Sequence, residues 1–529
     1  MKKLSALILA SLLVLSLSAC NDKDPQTNTN YQDNAQTDED RSDKNQNNTP
    51  ATPDPVQESE NFIDAISYDM ELFLDTKEKT LTEKIFIEVE NKTNNQVSEL
   101  CIRDMTPEIM KYCEEFYSEN NKNLKTNISS ITLKDSSEPL EYNFGENKSV
   151  VLVSLSDGNA IDPGQKGTIA IDMTTDIPNR GDRFGYRKTQ KGTLFALSFC
   201  YPYLADNKNG EWNTDPFFDD GENRSTDLAD YSVKLHIPES YTVAISGVET
   251  IDNGIVTTKI KSVRDFAIVA CDFMEKETFE ADGITVNNYY LKGKNSDVYR
   301  ETTKVVAEDS MKVFNKKIGL YPYDELDIAP CLLGFGYGGM EYPAFIMVNA
   351  SGFFDGPFYD LLSHESKVSH EIAHQWFYST VGNNEYREAW IDEGLATILE
   401  QDIYGLTPCN AHDYIEKNEE GYPTLEGKEE LRNELISYAR EGYKNCHLNI
   451  PPNEFTGDRI YGDAEYTGSY CFFQEVRQLI GDDNFSDMLK KLYETFYMKT
   501  VNTEDVLEFI RTYDNSEKMN EIISFYFKE

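Results

Sequence analysis

His370-Glu371-Ile372-Ala373-His374, read with Ala389-Trp390-Ile391-Asp392-Glu393-Gly394-Leu395-Ala396 further on, decides how this chain is understood. Residues four apart share one face of a helix, so the two imidazoles can reach a single Zn2+ at about 2.0–2.1 Å. Glu371 then points near the open coordination position, where it can take a proton from water. Leu361 to Val381 holds neither proline nor glycine, and the spacing predicts helix there. Eighteen residues separate His374 from Glu393, whose segment reads as a second helix from about Glu388 to Ile403. Two histidines on one helix and a glutamate on the next make a three-ligand site with one position left for water. That is the catalytic arrangement, whereas structural zinc sites are closed.

The other histidines, 236, 364, 412 and 447, read as non-ligands. His364 precedes His370 by six residues and faces about 120° away on the same helix. Trp376 reads as core packing. No cysteine stands in a C-x-x-C pair, so no cysteine zinc site competes.

His370 to His374 followed by Glu393 at this spacing resembles the gluzincin metallopeptidases of the aminopeptidase N family. Gly338-Gly339-Met340-Glu341-Tyr342-Pro343 is similar to that family's G-x-M-E-N exopeptidase motif, and Glu341 lies 29 residues before His370. Tyr466-Thr467-Gly468-Ser469-Tyr470, followed by Leu479-Ile480-Gly481, is similar to the family's Y-x-K-G-A stretch and its following helix. The resemblance covers about Asn61 to Glu529. It implies one zinc ion per chain, held by His370, His374 and Glu393. It implies Glu371 as general base and then proton donor to the leaving amine. Tyr466 would donate a hydrogen bond to the oxyanion of the tetrahedral intermediate. Glu341 would pair with the protonated α-amine, while Gly338, Gly339 and Met340 bond the peptide backbone by strand addition. A carboxylate fixed near the scissile bond favours substrates whose amine is one residue away, so the resemblance implies an aminopeptidase acting on peptides with free N-termini.

The chain departs from the family pattern in four places. Tyr342 stands where the family has asparagine. Thr467 and Gly468 replace the lysine after Tyr466, and Tyr461 also has a family counterpart near the site, so the oxyanion donor stays open between the two tyrosines. The family's second amine-binding acid has no clear match; Glu211 and Glu222 lie in a plausible region but read as solvated loop acids. The chain stops at Glu529, soon after a helical stretch at 503–527, so the long C-terminal helical domain of larger members is expected to be missing and the site to be more open.

At the N-terminus, Lys2 and Lys3 precede an apolar run from Leu4 to Leu17, too short for a comfortable membrane span. It closes in Leu17-Ser18-Ala19-Cys20, which resembles a bacterial lipobox and implies cleavage before Cys20 and lipid on its thiol. The expected location is extracytoplasmic, lipid-anchored at Cys20 to the bacterial cell membrane. Residues 21–60 are rich in Asp, Asn, Gln and Thr and read as a disordered acidic tether. A net charge of −43 argues against a nucleic-acid partner, which would need clustered Lys and Arg.

Between 61 and 272, short runs such as Lys84 to Val89, Val150 to Leu155, Thr168 to Met173, Tyr231 to Ile237 and Phe266 to Phe273 alternate with turn clusters such as Asp252-Asn253-Gly254. They read as an N-terminal β-sandwich or saddle-like domain. From about Val298 the periodicity turns helical, with Val305, Val306, Met311, Val313 and Phe314 leading to a stop at Gly319. The expected fold is thus multidomain, β then α+β, with a thermolysin-like zinc catalytic domain over 273–529. Proximity in sequence pairs Cys101 with Cys113 and Cys409 with Cys446 as candidate disulfides, free buried thiols being the alternative. Rival functions are a zinc endopeptidase or non-peptide hydrolase on the same site, and an inactive surface-binding lipoprotein.

Overall fold

The structure, a computed structural model, describes residues 62–404 and 432–528, apart from 118, 156–157, 209, 220, 222, 334–337, 355–360, 434, 438, 442–446 and 456–460. Cys20, the tether, Glu222, Cys409, His412 and Cys446 lie outside the described residues. All described residues fall in one compact unit, Asn61–Glu529.

The N-terminal half is β-rich because its sequence alternates. In β2 (Thr80–Asn91), Leu81, Ile85, Ile87 and Val89 face the core while Thr82, Lys84 and Glu88 do not. It pairs antiparallel with β1 (Ile63–Asp75). These two form the middle of a seven-stranded sheet with β3 (Thr126–Leu133), β4 (Lys166–Asp176), β5 (Ala229–His236), β6 (Glu249–Asp252) and β7 (Ile255–Val263), in the order β6-β7-β5-β1-β2-β4-β3. The β6–β7 hairpin turns on Asn253 and Gly254, whose φ values of 48° and 76° are the left-handed conformations such a tight turn needs. This half also holds two four-stranded sheets, one around Glu99–Arg103 and Val150–Ser154, the other around Thr193–Leu197 and Ile268–Cys271, and a two-stranded one of Asn207–Lys208 and Glu211–Trp212.

A five-stranded mixed sheet follows: β8 (Met274–Ala281), β9 (Ile284–Leu291), β10 (Glu325–Cys331), β11 (Gly339–Met340) and β12 (Phe345–Asn349). Its order is β8-β9-β10-β12-β11, so the short β11 is an edge strand, antiparallel to β12. Helices follow in chain order: α1 (Thr106–Phe116) in the β-rich half, then α2 (Ser296–Lys317), α3 (Leu361–Ala373), α4 (Glu385–Glu388), α5 (Trp390–Tyr404), α6 (Ser469–Ile480), α7 (Asp482–Thr495), α8 (Thr503–Arg511) and α9 (Glu517–Tyr526). The fold class is the expected one, a β-rich region followed by an α-containing region. One core cluster contains residues from Ile63 to Phe527 and so joins the two.

Several local expectations need correction. α2 ends at Lys317, before Gly319, and Val305 is 54 % exposed because Val306, Met311 and Phe314 define the buried face. The helix through the histidines does not run on to Val381. It ends at Ala373, where the His374 ring bonds the Phe377 carbonyl and the buried Arg264 side chain donates to the Tyr378 carbonyl (2.9 Å), the Lys499 carbonyl (2.7 Å) and Thr500 Oγ1 (2.7 Å). These contacts favour a tight turn over another helical turn. Residues 503–527 form two helices, the second begun by Ser516, which accepts from the Met519 amide (3.2 Å). Cys101 and Cys113 are free thiols, because they face different core clusters: Cys101 sits with Val150 and Ala205, Cys113 with the main core.

Candidate metal centre and active site

Three nitrogen and oxygen donors converge at the end of α3. His370 Nε2 lies 2.9 Å from Glu393 Oε2 and 3.1 Å from His374 Nε2, and His374 Nε2 lies 3.5 Å from Glu393 Oε2. A tetrahedral zinc with bonds of about 2.0–2.1 Å needs ligand-to-ligand edges of about 3.3–3.4 Å, so this triangle fits the ion in size as well as in donor type. The residues meet because α3 packs on α5. His370 lies in the last turn of α3, His374 follows directly after its end with its amide bonded to the His370 carbonyl (3.3 Å), and Glu393 lies in the first turn of α5.

The far side of each imidazole is held as well. His370 Nδ1 is 3.2 Å from Glu400 Oε2, and Ser366 Oγ donates to the other Glu400 oxygen. His374 Nδ1 donates to the Phe377 carbonyl at 3.0 Å. Both rings thus turn Nε2 toward the shared point. Glu400 was not singled out from the sequence, yet it lies seven residues, two turns, after Glu393 on one helix face. That spacing is the signal that could have found it.

Burial disfavours a charged His370, but Glu393 and Glu400 on either side override it and raise its pKa well above the ordinary histidine value. Burial dominates at His374 and lowers its pKa. Burial alone would raise the Glu393 carboxyl, yet hydrogen bonds from the two histidines bring it well below the usual carboxylate range. The trio thus carries mutually compensating charge in a buried place.

Glu371, Glu341 and His374 form a second buried group, with one donor atom of each within 4.8 Å of the others. Glu341 also meets Glu385 of α4 and Asp392 of α5 within the same limit. Neither Glu385 nor Asp392 was read as a site residue. Asp392 Oδ1 accepts from Asn383 Nδ2 at 2.7 Å. Gly339, in β11, lies directly against Glu371. The neighbouring residues of its motif are fixed by other contacts: the Gly338 carbonyl accepts from the Asn349 amide (2.9 Å), and the Met340 side chain is buried among Tyr342, Phe345 and Met347. Met340 can therefore meet a ligand only through its backbone.

The two tyrosines separate. Tyr466, in a π-helical turn at Asp463–Gly468 that leads into α6, donates to Glu393 Oε1 at 2.6 Å, and its ring lies 5.9 Å from that of His370. Tyr466 is 44 % exposed as a whole, but its hydroxyl end is turned to Glu393, and desolvation there with the Glu393 charge raises its pKa above the ordinary phenol value, so the hydroxyl is a donor. Tyr461 packs edge-on against Phe218 and Phe455. Glu211 is exposed on a two-residue strand. His364 lies apart from the donor triangle, bonded to Thr303 Oγ1 at 2.9 Å and packed on Tyr299 and Phe353.

Residues 303–526 match the profile of the Peptidase family M1 domain. Among similar proteins, Aminopeptidase B of Mus musculus is 26% identical over 220 residues, 40% of this chain and 31% of that protein. Leukotriene A-4 hydrolase of Xenopus laevis is 27% identical over 210 residues, 39% of this chain and 32% of that protein. The chain thus matches about a third of the length of these relatives. Among solved structures, the M1 zinc metallopeptidase from Deinococcus radiodurans superposes with a TM-score of 0.60 at 17% identity, over 88% of this chain and 94% of that one. A related structure is described as a two domain M1 zinc metallopeptidase, here with a TM-score of 0.60 at 16% identity over 89% and 95% of the two chains. The profile match thus covers the part of the chain that carries this site, and the fold is similar to that of these M1 metallopeptidase structures.

Proposed function

We propose that the chain is a zinc-dependent aminopeptidase that removes N-terminal residues from peptides at a bacterial cell surface. The observation that carries this reading is Glu341, a buried carboxylate beside Glu371 and His374. A negative charge fixed there has a natural partner in a protonated α-amine, and an amine anchored so close to the base leaves room for one residue before the scissile bond. The names of the similar aminopeptidases support the same activity. The N-terminal run ending in Cys20 supports a lipid anchor facing the exterior.

Zinc held by His370, His374 and Glu393 would supply Lewis acidity toward an attacking water and the substrate carbonyl. The chain's own groups perform the proton transfers. Glu371 accepts the proton of the attacking water and returns it to the nitrogen of the departing amine. Tyr466 turns its O–H from Glu393 toward the oxyanion that develops on the carbonyl. The edge of β11 offers backbone groups to the substrate strand, as an unpaired edge can.

The test compares wild-type protein with Glu371→Gln and Glu341→Gln on aminoacyl fluorogenic substrates, with and without N-acetyl blocks. The proposal expects cleavage of unblocked substrates alone, abolished by the first change and stripped of its selectivity by the second. Equal cleavage of blocked substrates would favour the endopeptidase reading. Zinc-loaded protein without any turnover would favour a binding protein.

A further inference from the structure

We propose that Gln375 is the positioning residue that sets the distance between the amine anchor Glu341 and the metal-binding end of α3; this rests on the aminopeptidase reading above. Gln375 is fully buried and is the residue after His374. Its side chain crosses to the loop that carries Glu341. Oε1 accepts from the Ala344 amide at 2.8 Å, and Nε2 donates to the carbonyls of Tyr342 (3.0 Å) and Glu341 (3.4 Å). The carboxamide therefore grips the peptide groups on both sides of Tyr342-Pro343.

Both ends of the link are rigid. The Gln375 amide bonds the Ile372 carbonyl at 3.1 Å, and its carbonyl accepts from Thr380 Oγ1 at 2.8 Å. At the other end, Ala344 has a φ of 57°, a left-handed conformation that alanine does not choose by itself. The loop thus takes a strained course, and the glutamine amide bonds the residue that bears the strain. One side chain, starting one peptide bond from a metal donor, ends on the backbone of the amine anchor. The one-residue spacing between amine and scissile bond depends on that link.

Leucine hydroxamate and its desamino counterpart, 4-methylpentanohydroxamic acid, test the inference directly. They share the metal-chelating group and the side chain and differ in the α-amine alone. Their dissociation constants are measured on the zinc-loaded full chain, wild type, Gln375→Met and Gln375→Glu, with zinc content and melting temperature recorded for each. Wild type is expected to prefer the amino form. Gln375→Met removes the acceptor of the buried Ala344 amide and one of the donors to the Tyr342 carbonyl, which keeps the Phe345 amide (3.0 Å), and should cut that preference about tenfold to a hundredfold. The desamino form should lose far less, and KM for unblocked substrates should rise more than kcat falls. Gln375→Glu keeps the acceptor for Ala344 but loses the donor, so its preference should be intermediate; it carries the decision if Gln375→Met does not fold. A wild-type preference in the variants overturns the inference, and so does equal weakening of both hydroxamates. If wild type itself binds both alike, there is no amine anchor and the aminopeptidase reading falls first.

Discussion

Gly339 lies so close to Glu371 that a β-carbon on residue 339 would stand 2.5 Å from Glu371 Oε1 and 2.6 Å from its Cδ and Cγ. No side chain can occupy that space while the carboxylate stays where it is. The edge strand therefore forms the wall against which the candidate base is held. Gly339→Ala is expected to displace Glu371 and lower kcat on the order of a hundredfold, since a shift of about 1 Å at a reacting group costs that much. Zinc content should stay at the wild-type level. Steady-state kinetics with metal analysis decide this, and a variant of normal kcat would show that the carboxylate is free to move.

The contact between Glu400 and His370 Nδ1 predicts an effect on the metal more than on the chemistry. Glu400→Gln removes a charged acceptor behind the ligand while keeping its volume. Loss of such a partner lowers zinc affinity about 10–100-fold. Competition with a chromophoric chelator measures it, and an unchanged affinity would mean that the helix fixes the ring without Glu400's charge.

Tyr466 and Tyr461 offer a paired comparison. Tyr466→Phe removes the hydroxyl that now bonds Glu393 and should lower kcat by about 10²–10³ with a small change in KM. Tyr461→Phe removes a hydroxyl from a ring packed against Phe218 and Phe455 and should leave kcat near wild type. The reverse ranking would transfer the oxyanion role to Tyr461.

His364 predicts a pH dependence of stability. Burial and the nearby Lys367 push its pKa down to about 3, whereas the unfolded chain has a value of about 6.5. Between these values the unfolded state binds the proton and the folded state does not. Its contribution is therefore fully present above pH 6.5 and is lost as the pH falls toward 3, on the order of a few kcal/mol. Asp64 and Asp104, raised by burial to about 7 and about 6, act in the opposite sense. The informative quantity is thus the difference between wild type and His364→Phe. Urea denaturation from pH 7 to pH 4 should give a shallower acid loss in the variant, and parallel curves would contradict the assignment.

Much of the fold is legible in the sequence because local periodicity encodes burial. The alternation at Leu81, Ile85, Ile87 and Val89 specifies one face of a strand whatever it packs against. Asn253-Gly254 specifies a hairpin because few other residues tolerate its backbone angles. The spacing of His370 and His374 places both on one helical face before any tertiary contact is known. Where local signals compete, they mislead. Nothing in 374–381 breaks a helix, yet Arg264, a residue more than a hundred positions earlier, holds the turn there. The proximity of Cys101 to Cys113 in sequence says nothing of the separate clusters they enter.

The sequence by itself determined the fold class, the donor residue types and the helical spacing, since each is a property of neighbours along the chain. Only the tertiary structure decided that Glu400 backs His370, that Gln375 grips the Glu341 loop, that Gly339 walls in Glu371, and that Tyr466 rather than Tyr461 reaches Glu393. Each of these is a contact of a few ångströms between segments far apart in sequence. Such contacts depend on how elements pack, and no periodicity within one element contains that information.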